Sequence, residues 1–454
     1  MSTSKHIAIL DTSVILHDAN SIFGFDGYDI MIPLVVLNEV DKFRSLDNEV
    51  GRNARSFIRS VNKMCGTNGK LSEGVKRRES GEEFYIKLPN EHDLKKLDPT
   101  VANVLDLKSN DDLILLFCLG CILEGKSQSY KLFTKDISLA AKANVIGVPC
   151  EDYYADAQIK NLDTLFTGIA EPIYVPGFLL DKLYEDKVLD FGRDDSDIKL
   201  ISEQIEKNDN TCITLIDELN HSHTAIALYT NNKLRTFNYK GGPISSLTPC
   251  NREQSFAFEL LLDPSIKLVT LTGMAGTGKT LLAIACGIHQ TMGTQRYDRL
   301  LVSRPIQPLG KDIGFLPGSA EEKLDPWMGP IRDAVEFVFG GDTGKYNEMK
   351  SFNWLEIEPL TYIRGRSLPR TLFILDEAQN LTTHEMKTIV SRIGKDSKII
   401  LTGDVFQIDN HYLDTTTNGL TSVIEKFKQY DIAGHVTLTK GQRSKLASLA
   451  ADIL

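Results

Sequence analysis

The sequence predicts an α/β chain with two parallel-sheet domains and a smaller, mainly β segment between them. Three observations lead there. At 454 residues the chain is too long for one hydrophobic core. Short β-rich apolar runs alternate with helical stretches over residues 1–156 and again over 251–454, as in βα units whose parallel strands are covered on both faces. Over residues 157–250 the texture changes to β-rich pieces divided by polar turns.

The first segment runs HIAILDTSVIL, YDIMIPLVVLNEV, NARSFIRSVNKM, SNDDLILLFCLGCIL, YKLFTKD and NVIGVPC, strands alternating with helices. Cys65 to Glu83 interrupts it with a Gly/Lys/Arg-rich stretch that has no periodic apolar signal, which predicts a mobile insertion loop. The middle segment carries TCITLIDEL, TAIALYTNN and KLRTFNYKGG. Its His221 and His223 follow Asp217 and Glu218, yet no cysteine or further histidine completes a ligand set, so they read as strand or turn residues. The last segment is ordered helix (REQSFAFELLL), strand (IKLVTLTG), loop, helix (TLLAIACGIHQTM) and strand (RLLVSRP), then strands TLFILDE, SKIILTGD and HVTLTK.

Composition narrows the class. The chain is 42% hydrophobic and 25% charged, an ordinary folded profile. Its formal net charge of -10 requires any nucleic-acid surface to be a local basic strip. The start MSTSKHIAILDTSV has no basic stretch followed by a long apolar run, and no membrane-length apolar stretch occurs, so a soluble, cytoplasmic protein is expected. The seven scattered cysteines suit reduced thiols, with Cys118 and Cys121 read as core residues in an apolar helix.

GMAGTGKT, from Gly273 to Thr280, follows an apolar strand and opens a helix, the context a phosphate-binding loop needs. Gly273, Gly276 and Gly278 let the backbone curl, with Met274, Ala275 and Thr277 completing the cradle. Lys279 reaches the terminal phosphates of ATP, and the Thr280 hydroxyl can hold Mg²⁺. The strand TLFILDE delivers Asp376 to the Mg²⁺ shell and Glu377 to orient or deprotonate a water, which favours hydrolysis over transfer to another acceptor. KIILTGD then brings Thr402, Gly403 and Asp404, with Gln407 placed to sense the terminal phosphate.

GDVFQ and DEAQ resemble elements of superfamily 1 helicases, and NREQSFAFELL resembles their adenine-reading element, with Gln254 as the contact. The sequence has one RecA-like core, so a transition-state arginine is expected from an adjacent subunit or the tail. Arg443 in TKGQRSKLA and Arg304 in LLVSRP are the candidates, each equally readable as a surface ion-pair residue. Together with VSRPIQPLGKDIGFLPGSAEEKLDPWMGPIRDA and GQRS, these motifs make residues 251–454 resemble the PhoH-like P-loop ATPase family. That resemblance implies a homo-oligomer, a hexameric ring, with ATP at subunit interfaces.

Asp11 ends the first strand, Glu39 follows the second, Asp111 and Asp112 start a helix, and Asp136 follows KLFT. These are the positions where open α/β sheets place ligand-binding groups, although each residue alone also suits a helix cap or turn. Clustered carboxylates repel one another unless divalent cations bind. LDTSVIL, PLVVLNEVDKF, NDDLILLFCL and FTKDISLAAKA, in this order, resemble a PIN-type nuclease domain. The resemblance implies a metal cluster of Asp11, Glu39, Asp111 and Asp136 for Mg²⁺ or Mn²⁺, with Asp112 as the alternative third ligand and Ser13 either a water contact or a turn hydroxyl.

The combined expectation is an ATP-dependent RNA helicase or translocase coupled to a Mg²⁺-dependent endoribonuclease, acting on single-stranded or partly duplex RNA. RNA rather than DNA rests on resemblance alone. The basic stretch at 65–83 is either solvated or in contact with that RNA. Two other readings stay open: an ATP-gated RNA-binding switch without cleavage, and a P-loop phosphotransferase, which would need an acceptor pocket.

Overall fold

The computed structural model describes residues 5–46, 49–65, 70–77, 81–88, 105–124, 128–153, 164–192, 198, 201–202, 204–305, 320–363, 365–410 and 413–441. The chain divides into two compact units, 1–157 and 158–454. It is mixed α/β, with parallel sheets in both units.

In the first unit the described strands are β1 (Lys5–Leu10), β2 (Tyr28–Pro33), β3 (Val75–Lys76), β4 (Glu83–Lys87), β5 (Gln128–Thr134) and β6 (Cys150–Asp152), ordered β3-β4-β2-β1-β5-β6. Only the β3–β4 pairing is antiparallel among them. A strand covered on both faces must be apolar at every position, which is why Ile7, Ala8, Ile9 and Leu10 are consecutive and all buried. Helices α1 (Thr12–His17), α2 (Leu34–Lys42), α3 (Glu49–Cys65), α4 (Asn110–Glu124) and α5 (Ile137–Val145) accompany the sheet. The chain leaves β1 for β2 on one side and returns to β5 on the other. The carboxyl ends of β1 and β5 therefore flank a topological switch point, where such sheets open a crevice.

One expectation fails within this unit. The stretch from Cys65 to Glu83 contains β3, and Arg77 beside it is buried. Its guanidinium donates to the carbonyls of Ile22 (2.6 Å), Phe25 (2.7 Å) and Tyr28 (2.8 Å). A planar fork with five donors can satisfy a cluster of buried carbonyls, so a polar stretch is packed without an apolar period. Residues 66–69 and 78–80 lie outside the described residues.

The second unit holds two sheets. The first has described strands β7 (Ile173–Val175), β8 (Val188–Asp190), β9 (Thr211–Asp217), β10 (Thr224–Thr230) and β11 (Lys233–Thr236), ordered β7-β9-β10-β11-β8, with α6 (Gly177–Asp186) packed on it. The β10–β11 hairpin turns at Asn231 and Asn232, both at positive φ (50° and 58°), the conformation a two-residue turn requires for the right-handed twist of its strands. His223 lies 3.3 Å from Asp217 and 3.5 Å from Asp181.

The second sheet has described strands β12 (Leu268–Gly273), β13 (Arg299–Ser303), β14 (Leu355–Ile357), β15 (Thr371–Leu375), β16 (Lys398–Gly403) and β17 (Ala433–Leu438), all parallel and ordered β14-β13-β15-β16-β12-β17. Helices α7 (Arg252–Leu262) and α8 (Lys279–Ile288) pack on one face. The two sheets are tied through α7: Arg235 of β11 bonds Glu259 and Asp263, each at 2.5 Å. At the end of α7, the buried Lys398 donates to the carbonyls of Leu260, Leu261 and Asp263 at 2.7–2.9 Å, satisfying acceptors a helix C-terminus leaves open.

Candidate functional site

The order β15-β16-β12 brings three loop beginnings to one end of the second sheet. After β12 the chain turns at Gly273 (φ 140°) and enters α8 from Gly278 (φ 94°). A Cβ at Gly273 would stand 2.1 Å from the Leu438 carbonyl oxygen of β17, so the loop's first position requires glycine on steric as well as conformational grounds. Lys279 turns its ammonium back on the loop, donating to the carbonyls of Gly273 (2.5 Å) and Met274 (3.0 Å). Met274 is exposed, Ala275 half-buried, Gly276 exposed and at positive φ, and Thr277 buried, its hydroxyl donating to the Met274 carbonyl.

Asp376, just past β15, accepts from the hydroxyls of Thr280 (2.9 Å) and Thr402 (2.6 Å) on one carboxylate oxygen. Phosphate loop, acidic strand end and third strand thus meet at one atom. The donor set, a hydroxyl beside a carboxylate at the start of a helix, has the hard-oxygen chemistry of a Mg²⁺ site. Glu377 adopts a left-handed conformation (φ 53°, ψ 40°), unusual for a residue with a side chain. Its carboxylate is held from two sides, by Arg304 at 3.2 Å and by Gln379 at 2.6 Å.

Gln379, which sequence reasoning did not single out, is fully buried. Its amide nitrogen donates to Glu377 and to the Gln407 carbonyl (2.8 Å), while its oxygen accepts from the Asp404 N–H (3.1 Å). It therefore joins the acidic pair to the turn that follows β16. The Gln407 side chain itself is exposed. The available signal was the glutamine two residues after the Asp-Glu pair, but its partners lie 25 and 28 residues further on.

Gln254 is buried in the first turn of α7. Its oxygen accepts from the Cys250 N–H (2.8 Å) and its nitrogen donates to the Thr277 carbonyl (3.1 Å). Both ends of the amide are thus engaged with backbone, one of them in the phosphate loop. Arg443 lies outside the described residues.

In the first unit, Asp11 caps α1 and is buried beneath a ring of donors: the Thr12 N–H (2.5 Å), the Ser13 hydroxyl (2.6 Å) and the Thr134 hydroxyl (2.8 Å). Burial nevertheless pushes its carboxyl above the usual range, against the pull of those bonds. Glu39 on α2 accepts from the Thr12 hydroxyl at 2.7 Å. Asp136 caps α5, accepting from the Ser138 and Leu139 N–H groups.

The adjacent pair on α4 faces two ways. Asp111 is raised by partial burial and then by the charges of Asp136, Asp11 and Glu39. Asp112 is buried too, which pushes upward, but the Asp106 N–H (2.9 Å) and the Lys142 ammonium (2.9 Å) outweigh that and hold it low. Asp11, Glu39, Asp111 and Asp136 are thus an all-oxygen set in which the charges of the other three bear on Asp111, chemistry that fits a hard divalent cation. Among the described residues, no three His, Cys, Asp or Glu side chains stand close enough to share one ion as placed. Cys118 is fully buried in α4, where burial pushes its thiol well up. No helix among the described residues is long and apolar enough to cross a membrane.

Comparison with known proteins agrees with this division. The PIN domain family matches residues 8–154 and the PhoH-like protein family matches residues 246–453. Protein PhoH2 of Bacillus subtilis (strain 168) is 40% identical over 456 residues, covering 99% of each chain. Protein PhoH2 of Mycolicibacterium smegmatis is 33% identical, covering 98% of this chain and 96% of its own. Among solved structures, the Pif1 helicase from Candida albicans aligns with 45% of this chain and 43% of its own at 16% identity and a TM-score of 0.25, too slight a likeness to bear on function.

Proposed function

Because the chain belongs to the PhoH2 family, a PIN domain followed by a PhoH-like domain, we propose that it is an ATP-hydrolysing RNA translocase or helicase whose N-terminal cleft cuts RNA. One observation carries this reading. A phosphate loop wired to Asp376 through Thr280 shares the chain with Asp111, on which the charges of Asp136, Asp11 and Glu39 converge.

At the nucleotide site, Lys279 exchanges the carbonyls of Gly273 and Met274 for the terminal phosphates of ATP, while loop N–H groups cradle the chain of phosphates. Mg²⁺ between Thr280 and Asp376 would neutralise charge on those phosphates. Glu377, oriented by Arg304 and Gln379, accepts a proton from the attacking water. Arg304 stands beside Glu377 and is assigned to the charge that develops at the terminal phosphate, with Arg443 of an adjoining copy in a hexameric ring as the second candidate. Gln254 braces the loop through its bond to the Thr277 carbonyl.

In the cleft, Asp11, Glu39, Asp111 and Asp136 would hold Mg²⁺ or Mn²⁺, which supplies an activated water and neutralises a phosphodiester. Thr12, Ser13 and Thr134 fix the carboxylates of Asp11 and Glu39 so that their lone pairs keep a set direction. Asp112 is assigned to Lys142, whose ammonium neutralises it, and not to the metal.

The test is ATP hydrolysis by the purified full chain with and without single-stranded RNA, beside RNA cleavage with Mg²⁺ and with chelator. RNA should raise ATP turnover several-fold, and chelation should abolish cutting. ATP turnover that stays at its basal rate with RNA present would remove the translocase reading, and cleavage that survives chelation would remove the metal-nuclease reading.

A further inference from the structure

Resting on the nuclease reading of the acidic cleft, we propose that Lys142 is a substrate-positioning residue: its ammonium, anchored by Asp112, receives an RNA backbone phosphate at the rim of that cleft. Lys142 lies in the last turn of α5, the helix that Asp136 caps, and its Nζ is 2.9 Å from a carboxylate oxygen of Asp112. Asp112 is itself fixed, since its other oxygen accepts the Asp106 N–H at 2.9 Å. The lysine side chain remains 45% exposed. An ammonium carries three donors, so one bond to Asp112 leaves two for a ligand.

Position gives this cation its role. Lys142 acts electrostatically on Asp111 and Asp136 as well as on Asp112, so it sits within the field of the cluster. A cleft of carboxylates repels the polyanion it would cut, and cations bound by those carboxylates offset the repulsion only at their own position. A fixed lysine at the edge offers the neighbouring phosphate a partner. A free lysine would lose side-chain freedom on binding, a loss that the bond to Asp112 reduces for this one. The two adjacent aspartates of α4 then have separate tasks, because consecutive helix residues point about 100° apart. Asp111 faces the cluster, and Asp112 holds the lysine.

The competing account makes Asp112–Lys142 a brace between α4 and α5 with no part in RNA binding. The experiment that separates the two is steady-state cleavage of a 5′-labelled single-stranded RNA by the full chain, without ATP, across a series of KCl concentrations. Lys142→Met should raise KM by roughly 5–10-fold with kcat nearly unchanged, and should flatten the slope of log(kcat/KM) against log[KCl] by about 0.7, the value of one single-strand phosphate contact. Lys142→Arg should retain most of the wild-type slope, and Asp112→Asn should fall between. The same difference in slope should appear without turnover, as fluorescence anisotropy of labelled RNA on Asp11→Asn chains with and without Lys142→Met. A lowered Tm with KM and salt slope unchanged would overturn the proposal in favour of the brace. If the wild-type chain cuts no RNA, the nuclease reading fails first and this inference falls with it.

Discussion

The nucleotide site and the acidic cleft both sit at carboxyl ends of parallel strands, yet they treat charge in opposite ways. Around the phosphate loop the polar groups satisfy one another: Lys279 bonds loop carbonyls, Thr280 and Thr402 bond Asp376, and Arg304 and Gln379 bond Glu377. In the cleft, Asp11 and Asp111 are raised by burial, and Asp111 further by neighbouring carboxylates. The first site is organised before any ligand arrives. The second sets Asp111 against the charges of Asp136, Asp11 and Glu39, a cost that makes sense where a bound cation is the intended counter-charge.

The largest expected effects separate the two sites. Lys279→Ala should reduce ATP hydrolysis by roughly 100-fold or more, because it removes the charge proposed to reach the terminal phosphates. Metal-dependent cutting of single-stranded RNA in the absence of ATP should persist in that variant. Asp11→Asn should do the reverse, abolishing cleavage while ATP turnover continues. Loss of both activities in either variant, with the fold retained by circular dichroism, would break the comparison.

Next come the adjacent aspartates. Asp111→Asn should lower cleavage by about 100-fold, as loss of a ligand or of its orientation does, whereas Asp112→Asn should cost less than about tenfold. Equal losses measured under saturating Mg²⁺ would show that both face the cluster. Gln379→Leu should lower kcat for ATP hydrolysis by roughly 10–100-fold, in the range that positioning groups supply. Little change is expected in KM for ATP, since Gln379 holds Glu377 and not the phosphate loop.

The smallest effects are in stability, and their signs are the sharper test. Asp11 and Asp111 bind their protons more tightly folded than unfolded, so stability falls as pH rises from the ordinary carboxylate range through their raised values. The penalty is complete once the pH stands above both raised values. Asp111→Asn should therefore raise Tm in chelator, and that gain should shrink when Mg²⁺ or Mn²⁺ is added. Asp376→Ala should lower Tm, because Thr280 and Thr402 lose their shared acceptor.

The phosphate loop was legible in the sequence because strand, glycines and helix occur together within a short span. The parallel sheets were legible from runs such as IAIL and IILT, whose unbroken apolarity only a doubly covered strand requires. Gln379 was hidden because a buried amide leaves no periodic trace and its role depends on a turn 25 to 28 residues away. Arg77 was hidden for a related reason: three backbone carbonyls, not an apolar face, hold it in place. Resemblance favoured Asp111 over Asp112, and the physical difference is the Lys142 ammonium and the Asp106 N–H, which both bond Asp112.

Whether one chain joins an ATP-driven motor to a metal-dependent nuclease can be read from a 5′-labelled RNA carrying a single-stranded tail and a duplex segment. Cleavage would be followed with Mg²⁺, with and without ATP, for the wild type, Lys279→Ala and Asp11→Asn. ATP should extend cutting into the duplex, Lys279→Ala should remove only that extension, and Asp11→Asn should remove all cutting. Cleavage that ignores ATP in every case would contradict that coupling and leave two separate activities on one chain.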